Sequence, residues 1–349
     1  MSTQEQAERQ KSMFSADPGW LAGYHEDALE PQLPIVDPHH HLWDRDTRYM
    51  LDEFRADFSG GHKVEATVFV QCDAMYRAGG DADFAPLGET EFVNGIAAMS
   101  ASGNYGPTRV AAGIVGFAEL RLGARVAEVL DAHVRVGGGR FRGIRGRSVW
   151  DADPSIKGSA MDFPPHLLMD PAFREGFACL APRGLSFDAW LFHPQIPELT
   201  DLAGRFPETT IILDHVGAPL GVGVYAGKRD EVFADWRRNL AELARRPNVS
   251  IKIGGLGMHL FDFGLDAAHR ERPASSEELA RLWQPYVETS IELFGPERAM
   301  FESNFPVDKR AASYTVLWNA FKRLTHAYSE SERQALFKET ACRVYRLPF

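Results

Sequence analysis

Cysteine is scarce in this sequence, and what there is offers no pairing pattern. Cys72, Cys179 and Cys342 lie far apart, are odd in number and form no C-x-x-C, so neither a disulfide framework nor a thiolate zinc site is expected. A reducing compartment, the cytoplasm, fits that usage. Basic charge is also short, with 38 Lys and Arg against 48 Asp and Glu, a formal net charge of −10 and no basic cluster. Phosphate neutralisation needs a basic face, so no nucleic-acid partner is expected. No stretch approaches the roughly 18 apolar residues of a membrane span, and the first twenty residues lack the apolar segment of an export signal. Neither membrane insertion nor export is expected. The common nucleotide cradles are missing too: no G-x-G-x-x-G follows the first strand, and G-x-x-x-x-G-K-S/T does not occur. Gly137-Gly138-Gly139 reads as a loop that ends a helix.

What is present is ordinary globular material, 349 residues with 44% hydrophobic and 25% charged. Short apolar or β-branched runs recur at Ile35-Val36, Ala66 to Val70, Val110 to Phe117, Phe141 to Arg145, Leu185 to Phe192, Thr209 to Leu213, Val249 to Ile253 and Ala299 to Phe301. Between most of them lie stretches of helical periodicity: Gly123 to Val136, Asp230 to Arg246, Ser276 to Phe294, Tyr314 to Thr325 and Ser329 to Val344. Eight strands alternating with helices imply a parallel sheet, and at this length a closed (β/α)8 TIM barrel, α/β in class. The barrel is placed at 34–349 as a single domain, with residues 1–33 as a polar, proline-punctuated N-terminal extension. Its Phe14, Trp20 and Tyr24 can clasp its own barrel or that of a second copy, which leaves a homo-oligomer open. Residues 73–109 and 254–275 look too long for plain connectors, and they follow strands, so they are candidate pocket walls.

Polar residues gather where the strands end. They are His39 and His41, Gln71, Arg145 and Arg147, His193, His215, Lys252, and Glu302 with Asn304. Successive strand side chains face opposite ways, so His39 and His41 share a face and His40 does not. Such groups repeated around a barrel are what a catalytic mouth needs. Plainer roles compete: Arg145 and Arg147 as surface ion pairs, and Lys252 as a barrel-lining cation neutralised by Glu302. His40, His133, His166, His269 and His326 have no such placement. Tyr76, Trp150 and Trp190 suit pocket lining or packing equally.

Six motifs then carry a resemblance: DPHHHLWD (37–44), VQCDA (70–74), GIRGR (143–147), FHPQIPEL (192–199), LDHVGAP (213–219) and FESNFPVD (301–308). In order and spacing the chain resembles the amidohydrolase superfamily, in its amidohydrolase-related branch that includes sugar lactonases and pyrone-dicarboxylate lactonases. The resemblance implies a metal held by His39, His41 and His193, with His215 assisting catalysis. Arg145 stands where binuclear members have a bridging residue, which argues against two metals. The branch leaves open one divalent metal, zinc or manganese, and a metal-free mechanism.

Asn304 stands where that superfamily has an aspartate, and an amide supplies no basicity. The base then falls to His215, whose ordinary pKa near 6.5 suits the task, or to Glu302, one layer deeper on the same side. Asp214, next to His215, would face away if the strand persists, and Asp308 reads as a loop ion pair with Lys309.

The function expected is hydrolysis of a small carboxylate-bearing lactone or related cyclic ester. His215, Asn304, Arg145 and Glu302 are the catalytic candidates, and Arg145, Arg147, Gln71, Tyr76 and Lys252 would bind the acidic small-molecule substrate. The alternatives are a mononuclear metal-dependent, non-oxidative decarboxylase of an aromatic or unsaturated acid, and a binding protein that lost its base at Asn304.

Overall fold

A computed structural model describes residues 17–45, 47–156 and 163–348. Phe14 of the extension therefore lies outside the described residues. Eight parallel strands follow in sequence order: β1 (Pro34–His40), β2 (Lys63–Val70), β3 (Arg109–Gly116), β4 (Phe141–Arg147), β5 (Ser186–Trp190), β6 (Ile211–Leu213), β7 (Val249–Ile253) and β8 (Ala299–Phe301). The ring closes just beyond β8, where the Asn304 amide donates to the His39 carbonyl at 2.9 Å and the His41 amide to the Phe305 carbonyl at 2.8 Å. This is the (β/α)8 barrel that the alternating pattern implies.

The covering helices are α1 (Leu51–Phe58), α2 (Leu87–Ala101), α3 (Val126–Val136), α4 (Pro171–Phe177), α5 (Ile196–Arg205), α6 (Arg229–Ala244), α7 (Ser276–Phe294) and α8 (Tyr314–Leu324). The 73–109 segment is thus no plain wall, because it carries all of α2. That helix escapes a periodicity reading because its Ala, Gly, Met and Ser residues give it little apolar contrast between faces.

Strand residues alternate between two cores. Outward-facing Ile144, Phe187, Ile251 and Phe301 pack under the helices, and Phe301 stacks on Phe321 of α8 at 4.4 Å. Val36, Val68, Val115, Ile212 and Met300 form a second cluster that Tyr345 and Leu347 of the C-terminal segment close. Along the alternation, Ile212 leads to Asp214 and Met300 to Glu302, so the interior changes from apolar to charged towards the C-terminal ends of the strands. The described part of the N-terminal extension lies on its own barrel: Trp20 Nε1 donates to the Arg270 carbonyl at 2.9 Å, and Glu26 accepts from the Ser276 amide at 2.8 Å and from Asn319 at 2.9 Å. No helix among the described residues is long and apolar enough to cross a membrane.

Candidate active site

Glu302 is the hub. Its Oε1 lies 2.6 Å from His215 Nδ1 and also accepts the His215 backbone N–H at 3.2 Å, while Oε2 lies 2.8 Å from His39 Nδ1. The two imidazoles sit 4.6 Å apart, centroid to centroid. His215 follows β6 with φ at +53°, in the left-handed region that costs a β-carbon-bearing residue about 1–3 kcal/mol. That turn lets both Asp214 and His215 face the interior, which corrects the outward placing of Asp214. The pair needs a close neighbour without side chains. A β-carbon on Gly254 would sit 2.4 Å from Glu302 Cγ, and one on Gly255 (φ +67°) would sit 2.5 Å from His215 Nδ1. Gly254-Gly255 is therefore part of the site, a role that the sequence reading of 254–275 as a wall did not assign.

Beneath lies a buried ionic layer. Lys252 Nζ donates to Asp188 Oδ2 at 2.6 Å and stands 3.2 Å from His39 Nδ1 and 3.1 Å from Asp214 Oδ1. All four residues are fully buried. The Tyr345 hydroxyl donates to the same Asp188 oxygen at 2.6 Å. The ion-pair partners of Lys252 are thus Asp188 and Asp214 rather than Glu302. Burial pushes Asp188 up to about 6 against the opposing Lys252 charge. Burial followed by the Lys252 charge presses His39 well below its ordinary value, against the opposing charge of Glu302. Burial would raise Glu302 as well, but the imidazoles on both oxygens outweigh it and hold this carboxyl down at about 2. Glu302 is consequently an ionised partner, which removes it as the raised-pKa base.

The β2 and β4 ends meet beside this centre. Arg145 donates through Nη2 to the Gln71 carbonyl, and its Nε is buried without a protein partner, as are both amide atoms of Gln71. Arg147 differs: its two terminal nitrogens grip Asp73 at 2.6 and 2.8 Å, and Tyr76 donates to the same carboxylate at 3.1 Å. Of the residues expected to bind substrate, Arg147 and Tyr76 are thus bound to Asp73, whereas Arg145 Nε has no protein partner.

The residues expected to hold a metal are only partly brought together. His39 and His41 do share a face, with rings 4.9 Å apart, while His40 turns away to stack on Phe54 at 4.2 Å and to bond Thr67. Yet the group of potential ligands found among the described residues is His39, His215 and Glu302, whose ligand atoms lie within 4.8 Å of one another. His41 Nδ1 bonds the Val70 carbonyl at 2.7 Å, and His193 Nδ1 accepts the Leu220 amide at 3.3 Å with its ring against Tyr225. Asn304 gives its amide to Asp308 Oδ1 at 2.9 Å. Asp308 itself is buried and raised to about 7 by that burial, while Lys309 pairs with Asp57 instead. A cation suits the His39, His215 and Glu302 group on two counts. His39 Nε2 is buried without a protein partner, and in the layer beneath two carboxylates, those of Asp188 and Asp214, face one ammonium.

Trp190 stands edge-on to His215 at 4.7 Å, and Trp150 and Tyr225 line a cavity of about 710 Å3 beside His193. Asp188 and Asp73 are the residues beside the site that sequence reading did not name, while Asp214, Asp308 and Trp190 were weighed there without being placed in the site. The signal available for Asp214 was the two-residue step from inward-facing Ile212, and for Asp188 its place between Phe187 and Ala189, which pack in the outer core.

Comparison with known proteins agrees with this architecture. The family profile described as Amidohydrolase matches residues 36–347. The y4mH protein of Sinorhizobium fredii, whose function is uncharacterised, is 34% identical over 90% of this chain and 99% of its own length. An L-fucono-1,5-lactonase of Burkholderia multivorans is 31% identical over 69% of this chain and 73% of its own. A crystal structure of an amidohydrolase from Burkholderia multivorans with bound zinc superposes with a TM-score of 0.63, at 26% identity, over 90% of this chain and 99% of that one.

Proposed function

Because this chain belongs to the amidohydrolase family, we propose that it opens a small lactone bearing an acidic group, with His215 activating the attacking water. The observation that carries this reading is the short contact between Glu302 and His215 Nδ1. It fixes the proton on Nδ1 and leaves Nε2 as the ring's basic nitrogen. As Nε2 takes a proton from water, the ionised Glu302 stabilises the imidazolium, and the same ring returns the proton to the alkoxide that leaves when the ring C–O bond breaks. Arg145 Nε and the Gln71 amide, buried and unpartnered by protein, supply donors for the substrate carboxylate or the developing oxyanion. The resemblance to an enzyme named L-fucono-1,5-lactonase supports the lactone class, and Arg145 supports the acidic substituent. Were a divalent cation bound, His39, His215 and Glu302 are the residues that would hold it; it would supply Lewis acidity at a carbonyl oxygen, and His215 would then serve as a ligand rather than as the base.

The test is a panel of sugar lactones and carboxylate-bearing lactones assayed with His215→Asn and Glu302→Gln. Each should lower kcat by about 10²–10⁴-fold with KM little changed, and the double variant should lose no more than the worse single. Arg145→Gln should raise KM for acidic lactones only. Full kcat in Glu302→Gln would refute the pair, and CO2 release without ring opening would replace this reading with decarboxylation.

A further inference from the structure

The opposite end of the barrel carries a second feature, which does not depend on how the histidine site is read. Residues just before β6, β7 and β8 meet the C-terminal segment around a cavity of about 400 Å3, lined by Thr210, Asn248, Ser250, Arg298, Arg343 and Arg346. In a chain of net charge −10, three guanidinium groups at one cavity need an account. Each is oriented by backbone carbonyls: Arg298 by those of Arg246 and Val249 at 3.1 and 3.2 Å, Arg343 by that of Glu297, and Arg346 by that of Arg142 at 3.2 Å. Ion pairs with carboxylates are common for arginine elsewhere in this protein, yet no acidic side chain among the described residues lies within 4.0 Å of any of these three guanidinium groups. Asn248 turns its amide away to three carbonyls, leaving the Thr210 and Ser250 hydroxyls as neutral donors. Glu297 is the one acidic residue in the lining. Burial holds Arg298 and Arg346 below their ordinary values, and Arg142 is lowered by burial and by the charge of Arg346.

We propose that this cavity binds a phosphate-type oxyanion, gripped by Arg298, Arg343 and Arg346 and by the hydroxyls of Thr210 and Ser250. Three guanidinium groups with a single carboxylate in the lining repel one another, and an oxyanion both relieves that repulsion and accepts the forked N–H donors. The cavity exceeds the size of a single phosphate, so an organic phosphate monoester also fits by volume.

Titration calorimetry of the full chain with inorganic phosphate, in low-salt buffer free of other oxyanions, tests this, with sodium chloride at matched ionic strength as control. The expected result is saturable binding of one phosphate and a phosphate-dependent rise in Tm that chloride does not reproduce. Arg343→Gln with Arg346→Gln should weaken binding at least tenfold, and Glu297→Gln, which removes the one acidic group, should tighten it several-fold. Glycerol 3-phosphate binding more tightly than phosphate would identify a monoester as the ligand, and equal or weaker binding the free ion. The proposal is overturned by absence of saturable heat, by an equal effect of chloride, or by unchanged binding in both variants.

Discussion

Lys252→Met offers the most direct test of the ionic layer beneath the histidines. Lys252 Nζ lies 2.6 Å from Asp188 and 3.1 Å from Asp214, with all three side chains fully buried. At an effective dielectric of about 20, those distances correspond to attractions of about 6 and about 5 kcal/mol. Desolvation cancels much of that gross energy, but removing one partner leaves the others buried and unpaired, at a cost of about 3–5 kcal/mol. Urea unfolding at pH 7 should therefore show a loss in that range. The pH dependence adds a second signature. Asp188 already sits near 6 because burial outweighs the Lys252 charge, and without the ammonium its folded pKa rises further above its unfolded value. A raised carboxyl binds more protons folded than unfolded, so the variant gains on the parent as pH falls, and the two should converge towards pH 4. Adding Asp188→Asn to Lys252→Met should cost less than the sum of the single changes. A loss under about 1 kcal/mol at pH 7, or the same loss at pH 4 and pH 7, would refute the reasoning that an unpaired buried charge is costly.

Gly255→Ala puts a methyl group into the His215 ring at a left-handed position, so kcat should fall by about 10²-fold or more while the circular dichroism spectrum stays folded. Glu278 closes the capping box of α7, accepting the Ser275 amide at 2.8 Å. Its carboxyl is held at about 2, first by that bond and then by Arg270, against the opposing effect of burial. A depressed carboxyl contributes stability above its ordinary range near 4.5 and loses it as pH falls towards 2. Glu278→Gln should cost about 1 kcal/mol at pH 7, and the gap should narrow in acid when unfolding is followed from pH 6 to pH 2. If a cation is held by His39, His215 and Glu302, elemental analysis should find it in the purified protein and strongly reduced in Glu302→Gln, with His193→Asn unaffected. Equal loss in His193→Asn would restore the ligand set that the family resemblance implies.

The sequence by itself determined the barrel, because strand and helix periodicities are local properties of a few consecutive residues. It also determined the shared face of His39 and His41, since alternation along one strand needs no other part of the chain. Strand-end placing singled out Gln71, Arg145, His215 and Glu302 for the same reason. Only the tertiary structure decided the partners. Arg147 meets Asp73, Lys252 meets Asp188 and His215 meets Glu302 across sequence separations of 74, 64 and 87 residues. No local pattern encodes such pairings. They depend on strand stagger, on the left-handed turn at His215 and on the side-chain-free space at Gly254-Gly255. Burial then sets the charge states, because whether a carboxylate stays ionised is governed by how much water the packed barrel excludes and which cation it leaves within reach.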